Sequence, residues 1–138
     1  MNTFTPDNFK ILLLENSIGI YFDTQDHWLY VDWTGRQDLN TIKHGCEQLM
    51  YFIDKQACTK LLNDNTKITN DWSEAEDWLC TDLPPRLSKS GIKYIAWVYP
   101  ANYSSRLSTD KVIRQLGTFT ITIGFDNLQT ASTWLHSV

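Results

Sequence analysis

Residues 93–99, KYIAWVY, are almost wholly apolar, and the run stops at Pro100. A stretch this short is a strand rather than a helix, and its lack of polar alternation requires cover on at least one face. It therefore predicts a strand near the middle of a sheet and constrains everything around it. Other short runs accompany it. Residues 9–15 (FKILLLE) suit a strand, and 18–23 and 27–34 form a hairpin about the polar turn Asp23-Thr24-Gln25-Asp26. Lys60 to Asn63 reads as a short buried strand. Thr118 to Ile123 alternates strictly, which predicts Phe119, Ile121 and Ile123 beneath helices and Thr118, Thr120 and Thr122 in water.

Helical periodicity fills the gaps. From about Asp38 to Gln56, Leu39, Ile42, Cys46, Leu49, Met50 and Ile53 recur at three- and four-residue steps, with Gly45 allowing close packing on the sheet. A second helix starts near Asp71, with Asp71 and Glu74 in capping-box spacing, and Pro84-Pro85 bars its continuation. Ser108 to Leu116 and a final segment capped by Asp126 give two more. The order is β-β-β-α-β-α-β-α-β-α. Strands joined through single helices are expected to run parallel with right-handed crossovers, and the hairpin adds an antiparallel edge. The 138 residues fit one domain, 1–138, an α/β mixed sheet.

Charge and composition narrow the function. A net charge of −4 without a basic cluster argues against a nucleic-acid footprint. No apolar run approaches the roughly 20 residues of a membrane span, so stable membrane insertion is not expected. The N-terminal residues lack a basic start and a small-residue cleavage site. Cys46, Cys58 and Cys80 form no CxxC pair, which predicts reduced thiols in a cytoplasmic protein and no structural metal. His27, His44 and His136 have no metal-ligand spacing. Glycine-rich phosphate loops and GxSxG elbows are absent, so neither catalytic residues nor a cofactor are expected.

The stretches KLLNDNTKI, DWSEAEDWL, LPPRLSKSGIKYIAWV, RLS and FDNLQTASTWL resemble the small bacterial SpoIIAA-like proteins, which carry STAS/SEC14-type domains. The resemblance runs from about Tyr21 to Leu135. It implies a mixed sheet with helices stacked mainly on one face, and binding rather than catalysis. Anti-sigma-factor antagonists of this fold carry a phosphorylated serine in an Asp-Ser-Ser-Gly motif. The comparable stretch here, NDNTKITNDWSEAE, lacks it, and Thr66 and Ser73 are the nearest hydroxyls. The SEC14-type lipid binders are larger.

The stretch 61–72, LLNDNTKITNDW, admits three readings: a metal site at Asp64, a phospho-acceptor at Thr66 or Ser73, or a turn satisfied by Asn and Asp side chains with Asp71 as a helix cap. The aromatics offer a surface. Trp28 and Tyr30 lie opposite Leu29, Val31 and Trp33 on one strand. If helices cover only the second set, Trp28 and Tyr30 mark an open face that binds a protein partner, most simply a second copy. Alternatively, residues 1 to 10 fold over them. A different class of function is a carrier or sensor of a small apolar ligand held among Trp72, Trp78, Trp97 and Tyr99.

Overall fold

A computed structural model describes residues 8–138. Within them, six strands form one sheet in sequential order: β1 Phe9–Leu14, β2 Ile18–Asp23, β3 Trp28–Gly35, β4 Lys60–Ile68, β5 Tyr94–Val98 and β6 Ile121–Phe125. The first three pair antiparallel and the last three continue parallel from β3. The KYIAWVY strand is thus fifth of six, paired on both sides and buried from Ile95 to Val98.

Five helices accompany these strands: α1 Leu39–Gln56, α2 Glu76–Thr81, α3 Leu83–Ser90, α4 Tyr103–Leu116 and α5 Leu128–Ser137. Sequential parallel strands joined by crossovers of one hand place every crossover helix on one face. The core agrees: Ile42, Leu49, Leu79, Leu87, Val112 and Leu116, from α1 to α4, pack on Leu29, Val31, Trp33, Leu61, Ile95 and Trp97. Gly45 makes that approach possible, since a Cβ there would lie 2.4 Å from the Trp33 ring.

The local signals differ from expectation in places with physical reasons. Asp38 caps α1 in a reciprocal box with Thr41. The pairing expected of Asp71 and Glu74 does not form. Asp71 accepts from the Ser73 amide, and Glu74 reaches across to the Leu39 amide of α1. Past Asp71 the chain enters a 3-10 turn, Ser73–Ala75, that leads into α2. Pro84 and Pro85 do not leave the chain irregular. They occupy the first turn of α3, where a missing amide proton costs nothing. Asn102, not Ser108, caps α4, and Asn127, not Asp126, caps α5.

The opposite face is not open. Helix α5 lies across it, with Ala131 and Leu135 packed against Trp28, Tyr30, Leu62, Ala96 and Val98. Lys60 Nζ donates to the Leu135 carbonyl at 2.9 Å and to that of Val138, tying the helix C-terminus to β4. Trp28 and Tyr30 are consequently only 2% and 5% exposed. Their placement on an open face is corrected, because the helix after the last strand returns over it. Residues 1–7, part of the segment considered as that cover, lie outside the described residues.

The expected burial of the 118–123 alternation is also overturned. Phe119, Ile121 and Ile123 are 53%, 54% and 41% exposed, while Thr120 is buried. Residues 118–120 are not strand: the amides of Thr118, Phe119 and Thr120 close back on Gln115 and Leu116 at the end of α4. The Thr120 hydroxyl donates to the Leu116 carbonyl, which satisfies it in the interior. Ile121 and Ile123 then fall on the α5 face of the outermost strand, where the helix covers them incompletely.

Candidate functional site

The stretch 61–68 is strand throughout, so the expected loop after Asn63 is replaced by a longer β4. Alternation sends its polar side chains to both faces of the sheet. Asn63 and Asn65 enter the space under α1–α3, while Asp64 goes to the α5 face. The segment therefore builds two polar clusters in place of one turn.

On the helix-rich face, Trp33, Trp72 and Trp97 surround a cavity of about 30 Å³ together with Cys46, Asn63 and Asn65. Trp33 Nε1 donates to Asn63 Oδ1 at 2.9 Å, and Asn65 Nδ2 donates to the Val98 carbonyl at 3.1 Å. The indole N–H groups of Trp72 and Trp97 have no partner among the described residues. A volume of this size admits roughly two water molecules. Of the four side chains expected to hold a ligand, the structure brings Trp72 and Trp97 together here. Trp78 instead lies beneath the Lys43 ammonium, 5.9 Å from its ring centroid. Tyr99 instead packs against α4: its hydroxyl donates to Asp110 at 2.6 Å and Arg106 stacks 4.0 Å from its ring. Burial pushes that phenol up to about 12, with the Asp110 hydrogen bond adding to the shift. The Cys46 thiol is pushed to about 12 by complete burial, as suits a core thiol rather than a nucleophile.

On the α5 face, Asp64 sits opposite Asp32 in the β3–β4 pairing. Asp64 accepts from the Tyr30 hydroxyl at 2.6 Å and from the amide and hydroxyl of Thr66 at 2.9 and 2.8 Å. Asp32 pairs with Lys67 through one oxygen at 2.8 Å, and its other oxygen has no partner among the described residues. Burial raises the Asp32 pKa, and Lys67 only partly offsets that cost. The phenol of Tyr30 is driven well above its ordinary value, by burial first and then by donation to Asp64. Phe9 stacks on Tyr30 with centroids 5.4 Å apart, and Tyr21 flanks both.

Sequence reasoning places Tyr30 on a surface and leaves Asp32 and Lys67 out. The available signal is a carboxylate inside the apolar run WLYVDW, a residue type rarely buried without a partner. Thr66 is exposed on β4 with its hydroxyl committed to Asp64, and Ser73 is exposed at the start of the 3-10 turn. Neither stands at the N-terminus of a long helix. Among the described residues no group of three His, Cys, Asp or Glu side chains could hold a metal ion, and no helix is long and apolar enough to cross a membrane.

The sheet order, the antiparallel hairpin edge and the helices gathered chiefly on one side define a SpoIIAA-like fold. A solved structure bears this out: an uncharacterized protein of the DUF3478 family, described as having a SpoIIAA-like fold, from Shewanella loihica PV-4. It superposes with a TM-score of 0.53 at 18% identity, over 96% of this chain and 99% of that one. No protein-family model and no curated protein matches the sequence.

Proposed function

We propose that this chain is a non-catalytic, STAS-like regulatory domain of the cytoplasm that acts through protein–protein contacts. One observation carries the reading. Phe119, Ile121 and Ile123 are three large apolar side chains left in solvent on the last strand of the sheet and the turn that leads into it. Clustered exposure of this kind marks an interaction surface more often than scattered single residues do. Phe119 and Ile121 also line an open groove of about 540 Å³ with Ile92 and Tyr94. The contact surface first assigned to Trp28 and Tyr30 is thereby moved to the sheet edge. Regulation by a phosphorylated serine is not part of the proposal, since the antagonists' Asp-Ser-Ser-Gly motif is missing.

The test is quantitative capture from an extract of the native host by immobilised wild type and by I121K/I123K. Proteins held by the wild type and lost from the variant, at equal melting temperature, support the reading. Equal retention by both counts decisively against it. A second reading, sensing of a small apolar molecule, draws on the unpartnered Trp72 and Trp97 indoles at the cavity. Native mass spectrometry of freshly purified protein checks it: a retained small molecule that W97F releases supports it, and a bare chain mass opposes it.

A further inference from the structure

We propose that the partner at this surface is a second copy of the chain, joined by antiparallel pairing of β6 with β6 across a twofold axis. The inference rests on the protein-contact reading and names its partner. Ile121 donates its amide to Lys93 and Phe125 accepts from the Tyr99 amide, so the odd-numbered residues of β6 are directed at β5. The backbone groups of Thr122 and Gly124 must then point outward, to the side where the sheet of described residues ends. Natural proteins guard such an edge with charge, proline or a bulge. From Thr118 to Phe125 there is no charged residue and no proline, and the β5–β6 register has no irregularity. The β1 edge is guarded on both counts, carrying Lys10 and a register shift between Ile11 and Leu13.

Self-pairing suits this edge. An axis through Ile123 sets Thr122 of each copy opposite Gly124 of the other, so each pair exchanges two main-chain hydrogen bonds. Ile123 meets its own counterpart at the close, non-hydrogen-bonded position, and Ile121 comes opposite Phe125. No like charges meet along the strand, and the next carboxylate, Asp126, is already paired with Arg106 at 2.6 Å. The contact is isologous and closes at two copies. Pairing of β6 with a β1 edge would leave free edges and propagate, and Lys10 with its bulge opposes it.

Analytical ultracentrifugation at high micromolar concentration tests this. The wild type should sediment as a dimer. I123K and I123D should each be monomers, because identical charges face each other at the axis, and an equimolar mixture of the two should form a heterodimer. T122P, which removes an outward amide, should be monomeric, while T122A, which keeps it, should stay dimeric. A monomeric wild type overturns the inference, as does a dimer indifferent to charge at Ile123. A monomeric wild type that still captures host proteins through Ile121 and Ile123 overturns the self-pairing alone and leaves the protein-contact reading standing.

Discussion

The two faces of the sheet bury polar groups of different kinds. Under α1–α4 the buried amides Asn63 and Asn65 are neutral and the thiol of Cys46 is held protonated. On the opposite face, which a single helix of 10 residues covers in part, lie the carboxylates Asp23, Asp32 and Asp64. A charge can stay beneath a thin roof because strand ends and turns bring it amides, a phenol and an ammonium. Asp23 accepts from the amides of Gln25 and Asp26 in the hairpin turn, and Asp32 keeps its bond to a half-exposed Lys67. A thick apolar roof offers no such partners, and an unpaired charge there would cost far more than an amide. One face stores its stability in packing, and the other in packing coupled to charge.

The largest effect expected is on the thin face. W28A/Y30A should lower stability by more than the ~3–5 kcal/mol typical of one buried aromatic truncation and leave the chain unfolded at room temperature. Circular dichroism would read this. A folded, soluble variant would mean that α5 is not a true roof and would break the comparison. Y30F is milder. It deprives Asp64 of one donor while the Thr66 amide and hydroxyl remain, so urea denaturation should show a loss of about 1–3 kcal/mol. W33F, which removes the indole donor to the neutral Asn63, should cost less than Y30F. The reverse order would erase the distinction between the faces.

Caps come next. D38A should cost about 1 kcal/mol, since Asp38 closes a reciprocal box on an 18-residue helix. D71A, which loses the bond to the Ser73 amide at an exposed site, should fall within about 0.5 kcal/mol of wild type. Equal losses for the two would contradict the cap assignment.

The smallest effect is one of pH. The folded-state pKa of Asp32 is raised above its ordinary value of 3.8, so the native state binds this proton more tightly than the unfolded chain. Its contribution is fully present below that ordinary value and is lost as pH rises through the raised one. The stability of wild type relative to D32N should therefore decline as pH climbs from the ordinary carboxylate value toward the raised one. A constant difference across that range would show that Asp32 titrates normally, and that the thin face is not the source of pH dependence.

Much of the fold was legible because its signals are local. The helical period of Leu39 to Ile53 and the two-residue period of the hairpin arms are written in adjacent residues. The rule that short crossovers join parallel strands supplied the topology. The site was less so. Asn63 reads as the end of a strand and Asp64 and Asn65 as a turn, because three polar residues in a row break a strand pattern. In the fold, each is satisfied by a group thirty or more positions away, Trp33, Tyr30 or Val98. Asp32 and Lys67 were overlooked for the same reason, being 35 positions apart.

Which residues share a face within a strand or helix is set locally, because alternation and helical spacing are properties of the backbone. The same local periods specify an α/β sheet with an antiparallel hairpin edge. Which face each set occupies, and how far the cover extends, is fixed by contacts between distant segments. Helix α5 turned back over Trp28 and Tyr30 and covered Ile121 and Ile123 only in part. That choice depends on the summed packing of segments distant in the chain, and no local period records it.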